Sequence, residues 1–310
     1  MTHPKIISMK EHRYTILTGG TAWNSMVSAM NAVTQKVTYI HTISDNGGSS
    51  RKIINVFGGP SIGDIRSRLN RLATYVTPES KAVKTLLDHR LTKESSEDAF
   101  YEWKDILNGT STLWTGISRL EKGFIHRFFE LLEDERLKKE SQNRADDNKF
   151  NFSDASLGNL YFTGMRLFFH GLKIPIAIFS NLSLIPDTIK VLPICETDSP
   201  ISIAAKLANG STIYGQNEIS HPGEFVDKNF DQPLISPIEK IFYINQLNNP
   251  IEINADPDVL HDLSENRTLI YSMGSTFTSI IASLIAKGVG ECIANKQNSK
   301  ILILNGENDR

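Results

Sequence analysis

The chain has 310 residues, 33 Lys and Arg against 35 Asp and Glu, and 40% hydrophobic residues. That length accommodates one large domain or two of about 150 residues, and the apolar fraction supports a substantial core, so a wholly disordered chain is excluded. A net charge of −2 excludes a global field for nucleic acid or anionic lipid, and two cysteines exclude a disulfide framework.

Tyr14 to Leu17 is a short apolar run that leads into Gly19-Gly20-Thr21. Met26, Ala29, Met30 and Val33 follow at helical spacing, so the pattern is strand, glycine turn, helix. Val37 to Ile43 is β-branched and aromatic and predicts a second buried strand, parallel to the first across one crossover helix. Helices are expected over 64–75, 78–87 and 117–139, the last densely charged from Glu133 onward and read there as a solvated end. Phe162 to Leu172 reads as a helix, then Ile174 to Phe179 and Thr188 to Leu192 as strands. Ile201 to Leu207 and Ser211 to Ile219 flank Asn209-Gly210 and read as a β-hairpin. After a strand at 238–244, Asp256-Pro257 opens a short helix through an N-cap and a proline at its first position. Thr268 to Met273, a helix from Thr276 to Ala286, and Lys300 to Leu304 repeat strand, helix, strand. The expected fold is α/β, Rossmann-like and three-layered, with a mainly parallel sheet, a helical insertion at about 76–150 and a β-hairpin. One interleaved domain over 1–310 fits this order. No apolar run approaches the roughly 18 residues of a membrane span, and the first residues lack an apolar signal core, so a cytoplasmic protein without membrane contact is expected.

Small polar residues collect at the predicted strand ends. Gly19-Gly20-Thr21 sits where a doubly wound sheet binds phosphate, yet it is neither G-x-G-x-x-G nor a Walker A loop, and a tight turn explains it equally well. Ser44-Asp45-Asn46-Gly47-Gly48-Ser49-Ser50-Arg51 follows the second strand and offers a carboxylate for a cation and a run able to wrap a phosphate. Gly63-Asp64-Ile65-Arg66 is a glycine turn entering a helix. Asp64 is either a cap or a second carboxylate for Mg²⁺, and Arg66 is a phosphate partner. Asn159, Asn217 and the Gly274-Ser275 turn are further polar positions of the same kind. Trp23 is read as a core or rim aromatic able to touch a base, and His221 as a residue able to reach the cleft.

In their order along the chain, Gly19-Gly20-Thr21, Ser44 to Ser50, Gly63-Asp64-Ile65-Arg66, Ser156-Leu157-Gly158-Asn159, Gly215-Gln216-Asn217 and Gly274-Ser275-x-x-Thr278-Ser279 resemble the 2-phospho-L-lactate transferase (CofD-like) family. That family also includes bacterial gluconeogenesis factors. The resemblance covers residues 14–304 and is closest to a eukaryotic-type branch, because Ala22-Trp23-Asn24 stands where glycine is frequent and Arg51 replaces another glycine. It implies Mg²⁺-dependent transfer of a phosphoester-bearing group from a nucleotide-activated donor to an alcohol, a deazaflavin in the transferase members. Carried over, Asp45 and Asp64 are catalytic and hold the metal. Gly19, Gly20, Thr21, Asn24, Gly274 and Ser275 bind nucleotide, and Asn46, Gly47, Gly48, Ser49, Ser50, Arg66, Asn159 and Asn217 contact substrate or phosphate. The alternative is a non-catalytic nucleotide-sugar-binding regulator of carbon metabolism or cell shape. Either way the partner is a nucleotide or nucleotide-activated small molecule and not a nucleic acid, and a homodimer is compatible with both. Family members continue beyond the position matching Leu304, so a longer domain is expected.

Overall fold

A computed structural model describes residues 11–20, 22–45, 47–142, 149–220, 234–265, 267–296 and 298–304. Strand β1 (Tyr14–Thr18) runs into Gly19-Gly20, a 3-10 turn (Ala22–Met26) and helix α1 (Val27–Val33). Strand β2 (Val37–His41), buried at every residue, returns parallel to β1 with Tyr14 opposite Val37 and Thr18 opposite His41. A parallel pair needs a crossover, and α1 supplies it. Helices then succeed one another: α2 (Gly48–Phe57), α3 (Gly63–Leu72), α4 (Pro78–Asp88), α5 (Ser96–Asn108), α6 (Arg119–Gln142), α7 (Leu157–Phe169) and α8 (Lys173–Leu182). Strand β3 (Lys190–Pro193) rejoins the sheet beside β2. Strands β4 (Ser202–Leu207) and β5 (Thr212–Tyr214) form the hairpin, followed by α9 (Gln216–Ser220), β6 (Ile238–Ile244) and β7 (Pro250–Ile251). Helix α10 (Pro257–Ser264) and β8 (Thr268–Tyr271) lead to a π-helical turn (Thr276–Ile281), α11 (Ala282–Leu284), α12 (Val289–Ala294) and β9 (Lys300–Leu302).

Five strands form a parallel sheet in the order β3-β2-β1-β8-β9, and four form an antiparallel sheet in the order β5-β4-β6-β7. The fold is therefore α/β, with helices on both sides of the parallel sheet and a separate hairpin sheet. The chain forms two compact units: a sheet unit (1–45, 186–196, 201–310) and a helical unit (46–185, 197–200).

In the sheet unit, α10 is bolted beneath β1 and β2. Asp262 is 1% exposed and accepts from Thr15 Oγ1, from Thr38 Oγ1 at 2.8 Å and from Arg267 Nη2 at 2.9 Å. The helix starts as its sequence predicts, with Asp256 accepting from the Asp258 amide and Pro257 at the first position. In the helical unit, α6 and α7 cross so closely that a Cβ on Gly164 would stand 2.2 Å from the Phe128 carbonyl oxygen. Trp103 stacks on Phe152 at 5.3 Å and meets Phe129 edge-on.

Three local expectations are overturned. Ile174 to Phe179, read as a strand, lies in α8: Pro175 falls in its first turn, where no amide is needed, and Ile176 and Phe179 share the buried face. The second hairpin strand stops at Tyr214, because Gly215 (φ +90°) turns the chain into α9, so Asn217 is helical rather than extended. The run after β2 passes directly into α2 at Gly48. The charged end of α6 is also less solvated than expected. Glu133 and Arg136 are buried and joined by two contacts of 2.7–2.8 Å, with Trp103 Nε1 and Lys104 Nζ each donating to Glu133 at 3.0 Å.

Candidate functional site

At the carboxyl edge of the parallel sheet, the turns after β1 and β8 are pressed together. A Cβ on Gly19 would stand 2.0 Å from Ser279 Oγ, and one on Gly274 (φ +138°) would reach the same hydroxyl at 3.5 Å and the Ala22 methyl at 3.9 Å. Glycine at 19 is thus demanded by close approach, and at 274 by the backbone as well. The segment after Gly274 takes an i→i+5 ladder, a local form frequent at functional sites, and Ser275 caps it by accepting from the Thr278 amide at 3.2 Å. Asn24 is buried in the 3-10 turn after the first glycine pair. Asp45, half-buried, ends the first segment of the sheet unit, four positions beyond β2. Asn217 occupies the second position of α9.

The helical unit brings three other motifs together. Helix α2 starts after Gly47, whose extended backbone carries no capping side chain, and Ser50 is buried in its first turn. Ser50 Oγ lies where a Cβ on Gly63 would come within 2.7 Å, so the starts of α2 and α3 are in contact. Asp64 is in the first turn of α3 and not at its N-cap, which is Ile62. Arg66 leans on Gly158 at the start of α7, where a Cβ would meet Nη1 and the Leu87 carbonyl oxygen at 2.5 Å each. Its Nη1 donates to that carbonyl at 3.3 Å and stands 3.9 Å from Asp88, while burial pulls its pKa down. Asn159, buried, follows Gly158 and donates its amide to Ser156 Oγ at 3.4 Å. Gly48 and Ser49 contribute backbone to the start of α2. Thr21, Asn46 and His221 lie outside the described residues.

Buried side-chain atoms lacking a hydrogen-bond partner recur at these turns. They are Trp23 Nε1, Ser44 Oγ and Gln216 Oε1 in the sheet unit, and Ser61 Oγ and Arg66 Nε in the helical unit. Each belongs to a residue within three positions of a motif glycine. Buried polar atoms are normally satisfied, and further orphaned ones occur away from these turns, at Asn31 Oδ1 and Ser202 Oγ. Ser44, Ser61 and Gln216 were not singled out from sequence, although Ser44 and Gln216 lie inside polar runs that were and Ser61 stands two residues ahead of Gly63. Arg166 escaped notice altogether. Its guanidinium, 2% exposed, donates to the Phe57 and Gly58 carbonyls at 3.1 Å and to Asp198 at 2.5 Å, fixing the Gly58-Gly59 turn (φ +65° and +80°) ahead of Asp64. Among the described residues, no group of three or more His, Cys, Asp or Glu side chains forms a metal cluster.

A parallel sheet with glycine turns at its carboxyl edge, and a helical unit with glycine-spaced helix starts, define an α/β protein of the kind that holds small ligands at strand ends. The 2-phospho-L-lactate transferase CofD family model matches residues 15–309, and the chain belongs to that family, a family of transferases. An uncharacterized protein of Saccharomyces cerevisiae is 30% identical, aligned over 95% of this chain and 78% of its own. A Bacillus subtilis protein named gluconeogenesis factor is 23% identical over 94% of this chain and 67% of its own. The chain spans about half of another relative, 51% of a Clostridium acetobutylicum protein at 23% identity. A solved structure from Bacillus halodurans shares the fold, with a TM-score of 0.62 at 20% identity, covering 95% of this chain and 69% of that one.

Proposed function

We propose that the protein is a transferase that moves a phosphoester-bearing group, of the 2-phospho-L-lactate type, from a nucleotide-activated donor to an alcohol acceptor. The observation that carries this reading is the match of the 2-phospho-L-lactate transferase family model to residues 15–309, with orphaned buried polar atoms near Gly20, Gly47, Gly63 and Gly215 in support. Gly19, Gly20, Thr21 and Asn24 lie along the nucleotide in this reading, and Gly274 and Ser275 flank it. Gly47 and the start of α2 (Gly48, Ser49, Ser50) suit an anion, since the N-terminus of a ten-residue helix directs N–H groups and a favourable dipole toward it. Arg66, Asn46, Asn159 and Asn217 supply further contacts to phosphate and substrate. Asp45 and Asp64 are the carboxylates for Mg²⁺, and one of them assists deprotonation of the attacking hydroxyl. Magnesium commonly takes one or two carboxylates and completes its shell with phosphate oxygens and water, so this reading requires no three-residue protein cluster. When bound, the ion would supply charge neutralisation for the phosphoester.

Binding without turnover is the second reading, favoured by the gluconeogenesis-factor name of the Bacillus subtilis relative. Thermal-shift titration with GDP, UDP, ADP and UDP-sugars, with and without Mg²⁺, tests both. A ligand at one hundred times its Kd stabilises by about 2.7 kcal/mol, and no shift with any nucleotide would overturn both readings. Consumption of a bound donor once an alcohol is added separates the transferase from the regulator. Asp45→Asn and Asp64→Asn are each expected to remove the Mg²⁺-dependent part of the shift. If both variants bind Mg²⁺ and nucleotide like the wild type, the metal assignment is wrong.

A further inference from the structure

One face of α6, at 24 residues the longest helix among the described residues, is open to solvent and apolar. Leu120 is 84% exposed and Phe124, one turn on, 41% exposed. Phe128 touches both Phe124 and Phe168 of α7, at ring separations of 5.2 and 6.1 Å, and Phe168 is 56% exposed. Single exposed apolar residues are ordinary, but three large ones joined in this way form a patch of the kind that meets a partner. Gly123 lies between Leu120 and Phe124 in the sequence of this helix. A glycine inside a helix weakens it, and nothing in the chain requires one here: its φ is not positive, and a Cβ would meet no atom within 4 Å. Gly164 of α7 shows what such a glycine permits, since it lets the Phe128 carbonyl oxygen of α6 come within 2.2 Å of a Cβ position. Gly123 offers the same close approach to a helix from outside.

Charges on the flank of this face say which helix fits. Arg119 lies five residues before Phe124 and Glu130 six residues after it. Eleven positions are close to three turns of about 3.6 residues, so the two occupy the same flank. Arg119 is exposed and pairs with no carboxylate. Glu130 meets Arg127 at 3.1 Å and His126 at 3.3 Å within its own chain, yet its side chain remains 44% exposed and open to a further cation. In a two-fold dimer one surface meets itself with its direction reversed. Two copies of α6 placed antiparallel about Phe124 therefore set Arg119 of each opposite Glu130 of the other. The large ring and the empty glycine, adjacent in sequence, likewise exchange places. A face whose two halves complement each other in charge and in shape fits a second copy of itself.

We propose that the protein forms a homodimer through α6, the two helices antiparallel about a two-fold axis beside Phe124. Phe124 of each copy sits over Gly123 of the other, Arg119 pairs with Glu130 across the axis, and Leu120 and Phe168 extend the apolar contact. One helix pair is small beside a permanent interface, so the dimer exchanges with monomer as concentration changes. The interface is independent of the transferase reading and stands or falls without it.

Sedimentation equilibrium of the full chain over a concentration series tests this, and a monomer–dimer equilibrium is expected. Phe124→Glu, which puts a charge at the apolar centre, and Gly123→Leu, which fills the space left for the other helix, should each raise the dimer Kd at least about tenfold. Arg119→Glu and Glu130→Arg should each weaken the dimer, and the variant carrying both should dimerise more tightly than either alone, because the pair is restored with its signs exchanged. The proposal is overturned if the chain is monomeric at every concentration, if Phe124→Glu leaves the dimer unchanged, or if the double charge variant is no tighter than the single ones. Circular dichroism of each variant establishes that it is folded. Should Phe124→Glu not fold, oxidation of Phe124→Cys decides the matter: a disulfide-linked dimer is expected that the wild type, with its buried Cys195 and half-buried Cys292, does not form, and its absence overturns the interface.

Discussion

Gly19 and Ser279 show what close approach does at a single residue. Gly19 has no positive φ, so the cost of a side chain there is steric alone: a Cβ would stand 2.1 Å from Ser279 Cβ and 3.5 Å from its Cα. Gly19→Ala should therefore lose about 1–3 kcal/mol, an overpacking cost. Removing the obstructing side chain should restore part of it, so the Gly19→Ala, Ser279→Gly double variant is expected to be more stable than Gly19→Ala. Urea unfolding of the four-member cycle measures the coupling, and strict additivity would contradict the contact. Gly63 and Gly158 make a second contrast. At Gly63 the obstacle is the Ser50 hydroxyl, which can rotate away, whereas at Gly158 it includes the Leu87 backbone carbonyl, which cannot. Gly63→Ala should fold with a loss below about 1 kcal/mol and Gly158→Ala should lose clearly more, as chemical denaturation would show. These glycines were legible in the sequence because their motifs are local strings. Arg166 was not, because its partners Phe57, Gly58 and Asp198 lie 32 to 109 positions away.

Elements were legible where a strand or helix carries its own punctuation. Tyr14–Thr18, Val37–His41 and Thr268–Tyr271 are β-branched runs that end at polar turns, and Asp256-Pro257 announces α10. Ile174 to Phe179 misled because alternating β-branched residues mimic a strand, and only tertiary packing selects the helical face of Ile176 and Phe179. Helix α5 was missed although Ser95 caps it, accepting from the Asp98 amide at 3.1 Å, and Ala99, Trp103 and Ile106 recur at helical spacing; the partner of its buried Trp103, Glu133 from α6, is thirty positions away. The attachment of α10 was equally hidden, since Thr15, Thr38, Asp262 and Arg267 meet only after folding. Arg267 is 8% exposed and paired with both Asp262 and Glu265. Asp262→Ala is expected to cost about 3–5 kcal/mol, because it leaves a buried cation and two buried hydroxyls short of their acceptor. Asp262→Asn keeps one acceptor oxygen and should cost less. Equal losses in thermal unfolding would show that charge, and not hydrogen bonding, holds the helix to the sheet.

For the molecule as a whole, the dependence of stability on pH is set in part by two glutamates of the helical unit that respond in opposite senses. Burial works to raise the Glu133 carboxyl, but Arg136, Trp103 and Lys104 outweigh it and bring the pKa down to about 2 from 4.5. Glu140 shares Arg136 and holds it in position at 2.6 Å. A carboxyl depressed by folding stabilises above its unfolded pKa, so this contribution, on the order of 3 kcal/mol, is complete above about pH 5 and vanishes as pH falls toward 2. Glu121 is raised, chiefly by burial, so it withdraws stability as pH climbs above its unfolded pKa. Glu133→Gln should therefore lower the guanidinium midpoint at pH 7 and flatten its decline in acid. Glu121→Gln should leave the acid decline intact and raise the midpoint slightly at pH 7. Trp114, buried in the helical unit and away from both carboxylates' hydrogen bonds, is a suitable fluorescent reporter. If Glu133→Gln retains the wild-type slope between pH 5 and 2, the buried Glu133–Arg136 pair is not what makes the helical unit sensitive to acid.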